Sequence, residues 1–156
     1  MAELNYNYKM SKGQQIIVLL YLIISSLGLT WSFYNVKVKE NVFGKTGLFN
    51  IFGAFVVGDM IVFGVFWVIA ATVSFLLNDW ILFLLIISSF WLIRSLGETI
   101  YWFNQQFSKV INNPPEKFFH YKFFKSDAVW WINQIFWQCI TVVALIFTIY
   151  LAKIWF

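Results

Sequence analysis

Residues 48–77 read LFNIFGAFVVGDMIVFGVFWVIAATVSFLL, and after Asn78 and Asp79 the chain resumes with WILFLLIISSFWLIRSLGETIYWF, residues 80–103. Two apolar runs of this length, parted by two polar turn-formers, decide the fold. At 1.5 Å of rise per helical residue, ~20 residues cross a hydrocarbon layer of ~30 Å. Both runs reach that length. Asn78–Asp79 leaves no room for a wide connection, so the two segments make a tight αα-hairpin of antiparallel helices. Two further apolar stretches flank the hairpin, Ile16–Tyr34 before it and Ala128–Leu151 after it. The expectation is an all-α, polytopic integral membrane protein with four transmembrane helices, its residues 1–156 forming one four-helix domain.

Composition closes off the alternatives. Hydrophobic residues make up 61% of the chain and charged residues 12%, and the mean hydropathy is +0.74. A water-soluble fold needs polar surface to cover its core, and this chain has too little. Its 9 Trp, 7 Tyr and 19 Phe suit a bilayer protein, where rings pack between helices and gather at both interfaces. The net charge of +4 does not point to nucleic acid. The lysines lie in the connections and no nucleic-acid motif accompanies them; juxtamembrane lysines set topology and meet anionic lipid headgroups. Cys139 stands alone in the sequence, so no disulfide forms within a chain. A thiolate metal site is not expected with a single distant histidine, His120. No cofactor motif is present.

Lys9 and Lys12 followed by Ile16–Ile24 and Ser25–Ser26 resemble a signal peptide, but apolarity continues to Tyr34, so an uncleaved first helix is expected. Lys37, Lys39 and Lys45 in the first connection, with Lys109, Lys117, Lys122 and Lys125 in the third, outnumber Lys9, Lys12 and Lys153 on the other side. The lysine bias puts the first and third connections in the cytoplasm and the termini outside, in a plasma or inner membrane. The third connection contains Asn112-Asn113-Pro114-Pro115, which ends any helix. It continues as EKFFHYKFFK, residues 116–125. Aromatic rings interleaved with lysines suit a short interfacial segment lying in the headgroup layer. Ser126 and Asp127 are placed to cap the last helix. The second run is longer than a perpendicular crossing needs; Asn50–Gly53 reads as a surface turn ahead of the true span. Its small residues Gly53, Ala54, Gly58 and Gly64 read chiefly as sites of close packing.

Three ionisable residues fall inside the spans: Asp59, Arg94 and Glu98. Such groups face protein, water or a ligand and default to a functional role. Arg94 and Glu98 are neighbours at i,i+4. Counting positions from the Asn78–Asp79 turn puts Asp59 and Glu98 at a similar depth, roughly 28 Å along each helix. Gln134 and Gln138 enter the same half of the membrane on the fourth helix, as do Thr30 and Trp31 on the first. Polar stripes are expected at Arg94, Glu98, Tyr101, Trp102 and Gln105, and at Asp127, Trp131 or Trp130, Gln134, Gln138 and Thr141.

Asp59, Arg94, Glu98, Gln134, Gln138, Thr30 and Trp31 therefore make the candidate substrate- or ion-binding set. One arginine between two acids leaves a carboxylate over, and with Glu98 paired to Arg94 the titrating group is Asp59. The resulting expectation is a small transporter or channel with a polar cavity on the cytoplasmic side, proton-coupled through Asp59. It would be a homo-oligomer among membrane lipids, because four helices enclose little pathway alone. The alternative is an accessory or assembly subunit of a larger membrane protein, with the buried charges as structural glue. A lipid-modifying enzyme using Glu98 or Asp59 as acid/base and His120 at the headgroups comes third, without a nucleophile elbow or metal cluster to support it.

Overall fold

Ser11 starts the first helix. Its hydroxyl accepts from the Gln14 N–H at 3.4 Å while the Gln14 side chain accepts from the Ser11 N–H at 2.8 Å, a reciprocal cap. The computed structural model describes residues 9–109, 111, 113–119 and 121–156. In chain order the helices are α1 (Lys12–Lys39), α2 (Val57–Leu77), α3 (Trp80–Phe107), α4 (Tyr121–Phe124) and α5 (Ala128–Trp155), with short 3-10 helices at Gly47–Phe52 and Pro115–Lys117. Among the described residues, α1, α2, α3 and α5 are long and apolar enough to cross a membrane. The chain is thus an all-α, multi-pass membrane protein. It divides into two compact units: one runs through Ile86 and includes Trp155, and the other holds Ile87–Ile154 and Phe156.

In the first unit, α1 and α2 meet along small residues. Ser25, Gly28, Ser32 and Asn35 are buried on α1, and Val57, Met60, Gly64, Trp67, Ala71 and Ser74 on α2. A side chain at Gly28 would have no space: its Cβ would lie 2.6 Å from the Met60 methyl and 2.8 Å from the Phe49 ring. Without a hydrophobic driving force between helices in lipid, such close approach is what dispersion needs. The buried Ser25 hydroxyl returns to the carbonyl of Leu22 at 3.0 Å, so it enters the seam without an unmet hydrogen bond.

The second span begins at Val57, nine positions later than its apolar run begins at Leu48. Two glycines with left-handed backbone explain the difference. Gly47 (φ 58°) and Gly53 (φ 73°) bracket the first 3-10 helix, and a continuous α-helix cannot pass through either. Between them the chain makes a re-entrant hairpin. Its arms are joined by Gly58 N–H to Val42 O and Val57 N–H to Gly44 O, both 2.9 Å. Asn50–Gly53 is the turn expected ahead of the span, and it is two-sided: Asn50 and Ile51 are exposed, whereas Phe52 and Gly53 are buried. Phe52 packs edge-on against Tyr21 at 4.7 Å between ring centroids, and its carbonyl accepts from the Trp67 indole at 3.0 Å. Trp67 lies roughly 15 Å along α2 from Val57. The connection therefore folds back beside the helices to about half the length of α2. Within the hairpin the Thr46 N–H donates to the Phe55 carbonyl at 3.4 Å and the Gly53 N–H to the Asn50 carbonyl at 2.9 Å. Thr46 completes the set by donating its hydroxyl to the Ala54 carbonyl.

The tight turn at Asn78–Asp79 is present. Asn78 adopts the left-handed conformation (φ 54°), and the Asp79 N–H closes on the Ser74 carbonyl at 3.1 Å. Asp79 then caps α3, accepting from the Leu82 N–H at 2.9 Å and from the Trp155 indole at 2.9 Å. Gln15 on α1 reaches the Asn78 side chain at 3.1 Å, fixing the turn to the first helix.

In the second unit, Asn113 ties the third connection to the helices. Its side-chain amide donates to the Tyr101 hydroxyl, its N–H to Gln105 Oε1 at 3.4 Å, and its carbonyl accepts from the Trp130 indole at 2.8 Å. Pro115 opens the second 3-10 helix. In the lysine–aromatic stretch, Phe119 and Phe123 are 75% and 71% exposed, with Lys117, Lys122 and Lys125 exposed around them. At the start of α5 the Ser126 hydroxyl accepts from the Ala128 N–H at 3.2 Å, whereas Asp127 makes no side-chain cap. His120 and Asn112 lie outside the described residues.

Candidate functional site

Asp59 stands in the first turn of α2, where the uncapped N–H groups and the helix dipole favour an anion. One carboxylate oxygen accepts from the Phe55 N–H at 3.1 Å and from the Val56 N–H at 3.4 Å. Both donors belong to the arm that returns from the re-entrant tip. The carboxylate therefore joins the hairpin to the helix that follows it. Thr30 and Trp31, placed in the candidate set from the same end of α1, have different surroundings. The Thr30 hydroxyl donates to the Ser26 carbonyl at 2.9 Å and its side chain is exposed. Trp31 lies against the Phe49 ring at 5.4 Å, so it closes over the hairpin.

In the second unit the expected ion pair is formed. Arg94 Nη1 and Glu98 Oε1 are 2.6 Å apart, one helical turn along α3, with both side chains largely buried. The order, basic residue before acidic, is the less favourable one relative to the helix dipole. The pair's value lies in mutual neutralisation inside a span, where either charge alone is expensive.

The amides behave differently from one another. Gln134 Oε1 accepts from the Gln106 side chain at 2.6 Å, and one further rung is made by Thr141, whose hydroxyl donates to Ser95 at 3.0 Å. Ser95 is fully buried. A polar seam thus runs between α3 and α5. Gln106 and Ser95 were not singled out by the sequence, and Asn113 was read only as part of the helix-ending run; Ser95 lies three residues from Glu98 and Gln106 four from Trp102 on the expected stripe, and that spacing was the available signal. Trp130, not Trp131, belongs to it: Trp130 is 5% exposed and Trp131 56%.

Gln138 does not join the seam. It is exposed, and among the described residues its amide makes no hydrogen bond. It sits near the centre of Ala128–Ala152, a stretch of α5 without a charged residue. The headgroup layer is roughly 10–15 Å away along the helix in either direction, farther than a glutamine side chain reaches. An amide held outward at this depth is the most unusual polar feature of the second unit.

Comparison with protein-family models, with curated proteins and with solved structures finds no match.

Proposed function

We propose that the protein is an assembly subunit of a membrane complex, engaging another transmembrane helix through the outward face of α5. The observation that carries this reading is Gln138. Exposing an unbonded amide to hydrocarbon costs several kcal/mol on transfer scales, about 4–8 where nothing can hydrogen-bond. A helix carried in by a partner removes that cost by supplying a donor and an acceptor, and amides bridge transmembrane helices in this way. The ionic residues support the same reading. Asp59 caps a helix, Arg94 meets Glu98, and Gln134 meets Gln106. Each of these contacts is made within the chain, whereas the Gln138 amide faces outward.

The test is migration of the complex extracted from its own membrane in a mild detergent. The parent protein should run well above the size of one chain, and Gln138→Leu should shift it downward, with Gln138→Asn in between. A parent that already migrates as a single chain would remove the reading.

Transport is the second reading, favoured by one specific feature: an apolar re-entrant hairpin that leads directly into the N-terminus of a span. Interrupted helices whose free N-termini and unwound carbonyls meet the solute or ion are how several transporter folds build a site. On this reading Asp59 is the coupling group at the break. Proteoliposome flux with and without a pH gradient, comparing the parent with Asp59→Asn, decides it. Flux that the substitution leaves fully pH-dependent would exclude Asp59 from coupling.

A further inference from the structure

The occupant of the α5 face is a second copy of this same chain, we infer, related to the first by a two-fold axis along the membrane normal that passes between the two Gln138 side chains. The inference rests on the assembly reading and goes further by naming the partner.

The spacing on α5 carries it. Trp131, Ile135, Gln138, Val142, Leu145 and Ile149 recur at alternating intervals of four and three, the period of two helices wound about each other. Five of the six are exposed and Ile135 is half-buried. In heptad terms the a positions are Ile135, Val142 and Ile149, all β-branched. The d positions are Trp131, Gln138 and Leu145. β-Branched residues at a, as here, go with two parallel strands where Leu fills d; of the d positions only Leu145 does so, and a polar residue such as Gln138 within the seam fixes register. Transmembrane pairs adopt the same left-handed crossing, near 20°.

Parallel packing is also what membrane insertion dictates for two identical chains. Copies inserted with one topology can be related only by an axis along the normal. Every residue on the seam then faces its own counterpart. Most polar residues are poor there: two carboxylates or two ammonium groups would repel each other. A glutamine amide is self-complementary, because Oε1 of each copy accepts from Nε2 of the other and both are satisfied at once. No charged residue lies between Ala128 and Ala152 to be brought against its own image. A different partner would have to supply the match; a second copy supplies it by symmetry.

The experiment uses the full chain in lipid bilayers, in a Cys139→Ser background so that no other thiol is present. Single cysteines are introduced at Val142 and Leu145 on the seam, and at Phe147, which is exposed on the opposite side of α5. Mild oxidation at low protein-to-lipid ratio should give covalent dimers from V142C and L145C and little from F147C. Copies carrying two different tags should co-purify, and Gln138→Leu should weaken that self-association roughly three- to thirty-fold, the range for one interhelical amide contact. Equal cross-linking at all three positions would overturn the seam. If the two tags separate while the native complex still shrinks on Gln138→Leu, the second copy is wrong and the assembly reading stands. If Gln138→Leu changes neither measurement, both fall.

Discussion

Replacing Trp67 by Phe tests whether the re-entrant hairpin is held as the structure shows. The indole of Trp67 is fully buried and donates to the Phe52 carbonyl at 3.0 Å; Tyr21 lies edge-on to it at 5.2 Å between ring centroids. Phenylalanine keeps an aromatic ring but loses the donor. The carbonyl of Phe52, a residue 1% exposed, would then lose its indole donor, at a cost of about 1–3 kcal/mol. The smaller ring also leaves a void of ~40 Å³, which at ~24 cal/mol per Å³ adds about 1 kcal/mol. The expected loss is about 2–4 kcal/mol in SDS-titrated unfolding from mixed micelles, followed by far-UV circular dichroism. Phe66→Leu is the comparison, because that ring is half turned to the outside and its truncation should cost less. A second readout is local. A cysteine at Leu48, in a Cys139→Ser background, faces outward from the 3-10 helix and should resist a water-soluble thiol reagent in the parent. It should become reactive once Trp67→Phe releases the hairpin. Trp67→Phe within 0.5 kcal/mol of the parent, with the Leu48 cysteine still protected, would refute the claim that this bond anchors the tip.

Three further outcomes follow from the same geometry. Asp59→Ala should destabilise the protein by about 0.5–2 kcal/mol in the same titration, while Asp59→Asn, which keeps an acceptor for the Phe55 and Val56 N–H groups, should cost distinctly less. A double-mutant cycle on Gln106→Leu and Gln134→Leu should give a coupling energy of about 0.6 kcal/mol and no more than ~2, the range for hydrogen bonds between transmembrane helices. Arg94→Ala should cost more than Arg94→Met combined with Glu98→Leu, since the single change leaves a carboxylate in a span with its nearest cation gone; equal losses measured in the unfolding titration would mean that Glu98 is neutralised by another group.

Hydropathy made the spans legible because membrane insertion acts on the average of ~20 residues and tolerates local detail. The Asn78–Asp79 turn was legible for a different reason: two polar residues between membrane-length runs leave one geometry. The re-entrant hairpin was hidden by the same averaging. Leu48–Val56 is as apolar as the span it precedes, so nothing in hydropathy separates them. What separates them is backbone, at Gly47 and Gly53, whose left-handed conformations a glycine permits but does not announce. The Arg94–Glu98 pair could be read because i,i+4 contact is a property of the helix alone.

Which amide faces inward could not be read so easily, and the reason is geometric. Each residue turns an α-helix by about 100°, so a step of four overshoots a full turn by ~40° while a step of seven falls ~20° short of two turns. Moving from Gln134 to Thr141 therefore stays on the side that meets α3, where both residues make their hydrogen bonds. Moving from Gln134 to Gln138 rotates away from it, far enough to bring the amide out of the seam. Gln134 and Gln138 look equivalent on a polar stripe drawn with loose spacings of three and four, yet one is an internal strut and the other faces outward. The same rotation aligns Gln138 with Trp131, Val142, Leu145 and Ile149, a face that no other described polar contact occupies. Arg94 meets Glu98 within α3, and Asp59 accepts from the arm that precedes α2; the neutral amide, displaced by ~40°, becomes the residue on which the proposed function turns.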